Sequence, residues 1–348
     1  MSMNPPIPSV FSFNRPRTRV KPNRLLVRPY SIEMRIVRVT VLALLAAAAS
    51  CRPGATRWED FPAEELDRLL LPDFPLPNPR LEGPSSADLE ASGSGGTQSH
   101  LFVEAAVNGV PASLLIDTGA SRTLLFPRLA SRAQVGLAPV RAVARLLNET
   151  VPFNLGELRD LRIGPLSMKN FQVFVARKQL IRAPHGLDPE PMDGMLGLDF
   201  LRRFAVTLDY GRRTVLFRRE SVPAPDGSTS APLQVRKSWG PFGLTGWTPQ
   251  MECRIDGAGP HECIFDSGAS SEGVVVPRET WTRLGFGREE ERRIRLSLGA
   301  IELTDVPARP WNGDVVQFGS SVLIAAGRSR VTLDFLAGRF ILERDDSR

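Results

Sequence analysis

The sequence predicts a mainly all-β protein built from two similar lobes. Short apolar runs separated by turn residues fill the chain after His100, a texture typical of strands rather than long helices. The 348 residues include 30 Pro and 29 Gly, so turns are frequent and a long helical bundle is not expected. One pattern of segments occurs twice, which indicates two copies of one folding unit. The hydrophobic fraction of 42% and the charged fraction of 24% are those of a globular protein.

The first fifty residues have the character of an export signal. From Met34, a short basic stretch precedes the apolar run 39–49 and the small-residue end Ser50-Cys51. This run is too short to cross a bilayer. The pattern resembles a bacterial lipoprotein signal, which implies lipidation of Cys51; simple secretory cleavage and a buried apolar helix are the alternatives. We predict a targeting segment over 1–50, with Met34 as a candidate true start, and an exported protein that is either membrane-anchored or periplasmic or extracellular.

Composition divides the rest of the chain. Residues 51–99 are rich in Pro, Ser, Gly and acids and can bury little apolar surface, so they are predicted to be a flexible tether. A first lobe is predicted over 100–218 and a second over 250–345. Residues 219–249 between them are polar and contain proline, and they are predicted to be a linker.

The repeat aligns at several points. Leu114–Ser121 and Cys263–Ser270 both place an apolar run before Asp, then Thr or Ser, then Gly-Ala-Ser. The two copies also close alike, with Val206–Tyr210 in the first and Val331–Phe335 in the second. A lone Asp-Thr-Gly is a weak signal, but two such motifs in matching context are specific.

The doubled motif resembles the catalytic loops of the aspartic peptidases. The alanine after each glycine and the segment Met192–Leu201 resemble the retropepsin branch of that family. The resemblance runs from residue 100 to 345 and implies the pepsin/retropepsin-like acid protease fold, in which a β-rich lobe is used twice about a pseudo-twofold axis. It also implies an aspartic endopeptidase that binds a protein or peptide substrate between its lobes by strand-like hydrogen bonds.

Two aspartates, one in each motif, are the candidate catalytic pair. Peptide hydrolysis without a metal or a covalent intermediate needs one carboxylate to activate water and a second, protonated carboxyl to donate to the carbonyl oxygen. Two adjacent carboxyls share one proton because both cannot ionise at close range. Asp117 and Asp266 occupy these positions. Gly119 and Gly268 leave room beside them and offer backbone amides to the carboxylates.

Further positions follow from the resemblance. Thr118 and Ser267 are implied to lock the two loops together through hydroxyl hydrogen bonds across the axis. Gly197, at the end of Met195-Leu196-Gly197, matches the apolar-apolar-Gly segment that passes behind an active-site loop. Counting back from the second closing strand puts its counterpart at Val322, so this support is predicted to be altered in the second lobe.

Ala120 and Ala269 bear on the pH dependence. A serine at either position could donate to the pair and favour its ionised form, and alanine cannot. We therefore expect the shared proton to persist to higher pH and the activity optimum to be mildly acidic.

Two hairpins and one flap are predicted. Asn108-Gly109 and Gly257-Ala258-Gly259 lie between apolar runs and predict turns. Pairing about the centre of the second turn would place Cys253 opposite Cys263, which favours a disulfide in an oxidising compartment, with two buried free thiols as the alternative. A flap is predicted around Val140–Phe153 in the first lobe alone, because the second lobe is shorter there.

Charge and composition argue against other classes of partner. The net charge of +6 arises in the first fifty residues and the remainder is near neutral, so a nucleic-acid partner is not expected. The three histidines show no metal-ligand spacing, so neither a metal nor another cofactor is expected. The chain is expected to be a monomer. Because one supporting segment is altered and the candidate flap lacks Tyr and has no Gly at its tip, a catalytically inactive peptide-binding or structural lipoprotein is the alternative function.

Overall fold

A computed structural model describes residues 79–92, 100–146, 149–177, 192–239, 245–269 and 272–343. The predicted targeting segment, Cys51 and the adjoining part of the tether lie outside these stretches. All described residues belong to one compact unit. No helix within them is long and apolar enough to cross a membrane.

The first lobe is formed by strands with two short helices. In its strand Phe102–Val107, Val103, Ala105 and Val107 are buried while Glu104 is exposed, which is the pattern of a strand with one face on the core. The strands are β1 Arg80–Glu82, β2 Ser86–Ser92, β3 Phe102–Val107, β4 Val110–Ile116, β5 Leu124–Leu125, β6 Gly136–Leu146, β7 Glu149–Ile163, β8 Leu166–Ala176, β9 Gly194–Leu196, β10 Ala205–Asp209 and β11 Thr214–Arg218, and the helices are α1 Pro127–Arg132 and α2 Leu198–Leu201.

The second lobe repeats this plan with fewer residues. Its core includes Trp281, whose indole N–H donates to the carbonyl of Glu289 at 3.0 Å. The strands are β12 Thr229–Pro232, β13 Gln234–Trp239, β14 Thr245–Ile255, β15 Ala258–Phe265, β16 Val274–Pro277, β17 Arg292–Leu298, β18 Ile301–Trp311, β19 Val316–Phe318, β20 Arg330–Asp334 and β21 Arg339–Leu342, and the helices are α3 Arg278–Arg283 and α4 Ser320–Ala325.

The closing strands of the two lobes meet at the centre of the molecule. β10 pairs antiparallel with β20, and Thr207 lies opposite Thr332 with their hydroxyls 2.7 Å apart. β11 flanks β10 and β21 flanks β20. Each strand therefore faces its own counterpart about the threonine pair, which marks the pseudo-twofold axis. This is the bilobal, mainly β fold that the sequence predicts.

The structure corrects the predicted tether at residues 80–92, which form β1 and β2. β2 pairs with β11 on one side and with β3 on the other. Its core-facing residues are Ala87 and Ala91, and Leu89 packs between them. Acidic residues alternate with these positions, so the segment has the period of a half-buried strand but the composition of a tether.

The predicted linker over 219–249 is corrected in the same way. β12 pairs with β21, and β13 pairs with β14. Ala231 and Leu233 are buried on either side of the exposed Pro232. The strands of the second lobe therefore begin inside the predicted linker and not at residue 250.

The hairpin of β14 and β15 turns at Asp256-Gly257 rather than over Gly257–Gly259. The two turn residues have φ values of 51° and 85°, the left-handed geometry of the hairpin turn that Asp-Gly favours. The observed register pairs Cys253 with His261, so Cys253 and Cys263 are diagonal rather than opposite neighbours. Their Cα atoms lie 5.8 Å apart and the disulfide is formed.

The Cys253–Cys263 disulfide is expected to add about 2–3 kcal/mol to the free energy of unfolding, because it restricts the unfolded chain. Replacing both cysteines by alanine should lower that free energy by about the same amount in urea denaturation. Wild-type protein with added reductant is the control, since it opens the bond without deleting side chains. An unchanged denaturation midpoint in both samples would contradict the expectation.

One long hairpin distinguishes the first lobe. β6 and β7 pair from Gly136 opposite Glu157 to Leu146 opposite Glu149. They include the described part of the predicted flap, Val140–Phe153, of which residues 147 and 148 lie outside the described residues. Over the described part of the second lobe, α3 leads to β17 without a corresponding hairpin. The hairpin is thus present in the first lobe, where the flap is predicted, and its role as a flap stays a prediction.

Candidate active site

Each candidate aspartate directly follows a central strand. β4 ends at Ile116 beside β9, and β15 ends at Phe265 beside β19, both in parallel pairing. The amide of Asp117 donates to the carbonyl of Leu196 at 3.1 Å, and the amide of Asp266 donates to that of Phe318 at 3.0 Å. The two side chains are thus held on rigid sheet elements in equivalent positions.

Thr118 and Ser267 join the two loops by a reciprocal set of buried hydrogen bonds. The Thr118 hydroxyl donates to the carbonyl of Phe265 at 2.8 Å, and the Ser267 hydroxyl donates to that of Ile116 at 2.7 Å. Each hydroxyl oxygen also accepts the other residue's backbone amide at 3.0 Å. These four bonds fix one loop against the other, and therefore one aspartate against the other.

Gly119 and Gly268 allow the carboxyls to approach. A Cβ atom on Gly119 would lie 2.4 Å from Cγ of Asp266, and one on Gly268 would lie 2.6 Å from Cγ of Asp117. Such separations are shorter than van der Waals contact, so any side chain here would displace the opposite carboxyl. Each aspartate therefore rests over the glycine of the other loop.

Each carboxyl group lies against the glycine of the opposite loop, so that the charge of one acts on the other. The amides of Gly119 and Ala120 donate to Oδ1 of Asp117, both at 2.9 Å. The amide of Gly268 donates to Oδ1 of Asp266 at 2.9 Å. Burial raises the pKa of both groups, and the adjacent charge of Asp266 raises the pKa of Asp117 further. One proton is therefore retained by the pair well above the usual carboxyl range.

Gly197 begins α2, where a Cβ would lie 2.4 Å from the backbone of Arg122. Its counterpart is Gly319 and not Val322, because Gly319 begins α4 directly after β19. A Cβ on Gly319 would lie 2.9 Å from the carbonyl oxygen of Ala269. The prediction that Val322 replaces this glycine is therefore wrong, while the segment does differ at Gln317, which stands where the first lobe has Met195. The cause of the error is length: α4 is two residues longer than α2, and the connection to β20 is one residue longer than that to β10, so counting back from β20 stops three residues short, inside α4.

Two residues at this site are missing from the sequence-based set. Nε2 of Gln317 donates to Oδ2 of Asp266 at 2.5 Å. The buried His100 places Nε2 3.2 Å from the carbonyl oxygen of Gly268, and burial lowers the pKa of its imidazole. Gln317 could have been recognised only by aligning β19 correctly with β9. For His100 the sequence contains no signal, because its partner is 168 residues away.

Within the described residues, no group of three or more His, Cys, Asp or Glu side chains is placed to hold a metal ion. The chemistry that the arrangement offers is that of its own carboxyls. A buried acid and a half-buried acid that share a proton, on loops locked to each other, can accept a proton from one reactant and donate one to another.

Such a pair on a bilobal β fold defines the class of aspartic-protease-like proteins. Residues 103–200 match the family model described as aspartyl protease. The resemblance to the retropepsin-like aspartic peptidases is therefore confirmed, and this match lies within the first lobe.

No curated protein matches the chain. Among solved structures, the crystal structure of basic 7S globulin from soybean is similar, with a TM-score of 0.48 and 12% sequence identity. That match covers 76% of this chain and 97% of the globulin chain.

Proposed function

We propose that the protein is an aspartic-type endopeptidase that hydrolyses peptide bonds with a water molecule activated between Asp117 and Asp266. The observation that carries the proposal is the close placement of these two carboxyls, one buried and one half-buried, each against the glycine of the opposite loop. A pair of acids in this contact holds one proton, and this makes an acid and a base available at one site.

The proposed reaction uses both members of the pair. The ionised carboxyl removes a proton from water as the water oxygen attacks the peptide carbonyl carbon, and the protonated carboxyl donates its proton to the carbonyl oxygen. The resulting diol collapses when one hydroxyl returns its proton to a carboxylate and the C–N bond breaks. The nitrogen takes the other proton, and the pair ends with the single proton with which it began.

The substrate class is a protein or peptide bound in extended form between the lobes. Extended chains are recognised by main-chain hydrogen bonds of the kind that join neighbouring strands. Residues 140–153, in the hairpin of β6 and β7, are the proposed flap for such a substrate. Export and lipidation at Cys51 belong to the proposal on the sequence pattern alone.

The test is cleavage of a denatured protein mixture by the full chain between about pH 3 and about pH 8, with new N-termini as the readout. The full chain is needed because β1 and β2 precede residue 100 and pair within the first lobe. Asp305→Asn is the matched control for Asp117→Asn and Asp266→Asn, since Asp305 is exposed and its positive φ suits asparagine. We expect new N-termini from wild type and Asp305→Asn alike.

Absence of cleavage by a folded wild-type chain would overturn the proposal in favour of an inactive peptide-binding protein. The sequence argument for that alternative was an altered second support, and Gly319 supplies that support in the structure. The remaining argument for the inactive alternative is the candidate flap, which lacks Tyr and has no Gly at its tip.

A further inference from the structure

The two aspartates do not have the same surroundings, although the backbone about them is symmetric. Asp266 receives the amide of Gly268 on Oδ1 and the side-chain amide of Gln317 on Oδ2, and the backbone amides of Ala269 and Gly119 also lower its pKa. Oδ1 of Asp117 receives two backbone amides. The second oxygen of Asp266 is therefore held by a side-chain donor from a neighbouring strand.

The symmetry-related position shows that this donor is particular to one lobe. Gln317 lies opposite Ile264 in the pairing of β15 with β19, as Met195 lies opposite Leu115 in the pairing of β4 with β9. Met195 is buried in an apolar cluster and its thioether carries no N–H. It has nothing to donate to Asp117.

A fixed donor distinguishes the two protonation states of a carboxyl. An amide N–H binds an ionised carboxylate more strongly than a neutral acid, because the bond is charge-assisted. Hence Gln317 favours the arrangement in which Asp266 is ionised and Asp117 holds the proton. The same donor replaces, on one side, the hydroxyl that Ala120 and Ala269 lack.

We propose that Gln317 is a positioning residue that makes the pair asymmetric, holding Asp266 as the carboxylate that activates water and leaving the shared proton on Asp117. The assignment of roles rests on the proposed peptidase function. The asymmetry itself does not, since it is a property of the free protein.

Other titratable groups face the same loop. Asp117 is in direct contact with Asp266, Tyr210 lies within electrostatic range of it, and His100 contacts the neighbouring carbonyl of Gly268. Burial raises the pKa of Tyr210, so it stays neutral in the acidic range. All three groups are retained when Gln317 is replaced, so their effects are shared by wild type and variants.

The experiment is a ¹³C NMR titration of aspartate carboxyls in the full chain, with the pair assigned from Asp117→Asn and Asp266→Asn. Gln317→Met introduces the residue found at the related position, and Gln317→Lys introduces a charged donor. Gln234→Met is the matched control, because Gln234 is exposed on β13. The pH dependence of kcat/KM on a peptide substrate is measured in parallel.

The two variants should move the first ionisation of the pair in opposite directions. In Gln317→Met we expect it about one pH unit higher, since a charge-assisted hydrogen bond is lost. The second ionisation should stay in place, because Asp266 is already ionised when it occurs. In Gln317→Lys the first ionisation should move to lower pH, and in Gln234→Met neither should move.

An unchanged first ionisation in Gln317→Met would overturn the inference, even if kcat/KM falls, because a merely structural role lowers activity without moving the titration. If Gln317→Met does not fold, an unchanged or raised ionisation in Gln317→Lys overturns it equally. Absent peptidase activity in wild type, together with the expected titration shifts, would refute the proposed function and leave the asymmetric pair established.

Discussion

Asp117→Asn and Asp266→Asn are each expected to lower kcat/KM by about 10³-fold or more, because each removes one half of a shared acid and base. The double variant should be little worse than either single variant, since the two groups act as a unit. Both single variants are also expected to be more stable than wild type at neutral pH. On the proposed function, the protein thus keeps a destabilising pair of acids for its chemistry.

The sign of the stability effect follows from the raised pKa. Burial and the neighbouring charge raise the pKa of Asp117 in the folded protein above the ordinary value of 3.8. Between that value and the raised one, the folded state binds more protons than the unfolded state, so wild-type stability falls as pH rises through this window. Asparagine does not ionise, so Asp117→Asn escapes this loss. The free energy of unfolding that Asp117→Asn gains over wild type should therefore grow with pH and vanish below the ordinary carboxyl range.

Thermal or urea denaturation at about pH 3 and about pH 7 measures this difference. Asp305→Asn provides the comparison, as an exposed aspartate outside the site. A stability gain of equal size at both pH values would mean that the two carboxyls do not titrate as a buried pair. Retained activity in either Asn variant would remove that residue from the proposed mechanism.

Gly119→Ala is expected to lower kcat/KM by about 10²-fold while leaving the chain folded. The new Cβ would lie 2.4 Å from Cγ of Asp266, so the carboxyl must move away from its partner, and small displacements of reacting groups cost about this factor. Activity on a peptide substrate and the midpoint of thermal unfolding are measured together.

Gly136→Ala is the matched control for this variant. No atom lies within 4 Å of a Cβ built at Gly136, and its φ is outside the left-handed region. We expect it to behave as wild type in both measurements. Wild-type activity in Gly119→Ala would show that close contact between the carboxyls is not needed for the reaction.

The parts of the fold that the sequence predicted well depend on contacts between near neighbours. Asn108-Gly109 has φ values of 50° and 88° and turns the hairpin of β3 and β4 where expected. The doubled Asp-Thr/Ser-Gly motif marked both loops of the site because the tight turn, the carboxylate and its amide donors lie within four consecutive residues.

The errors have physical causes that are visible in particular elements. The segment that forms β2 was predicted to be part of a tether because its buried residues are Ala87 and Ala91, which contribute little hydropathy. The disulfide register was displaced because the turn uses Asp256-Gly257, and a small shift in the turn changes every pairing along the hairpin. Gly319 was missed because α4 is longer than α2, so an alignment fixed on the closing strands does not carry over to the loop.

The sequence by itself determined that two copies of one β-rich lobe carry one aspartate each, since repetition and turn chemistry are local properties of the chain. Only the tertiary structure decided what surrounds those aspartates. Gln317 reaches Asp266 across 51 residues, and His100 reaches Gly268 across 168. Contacts of this range depend on how strands are ordered within the sheets, and the physical chemistry of neighbouring residues in the chain does not specify that order.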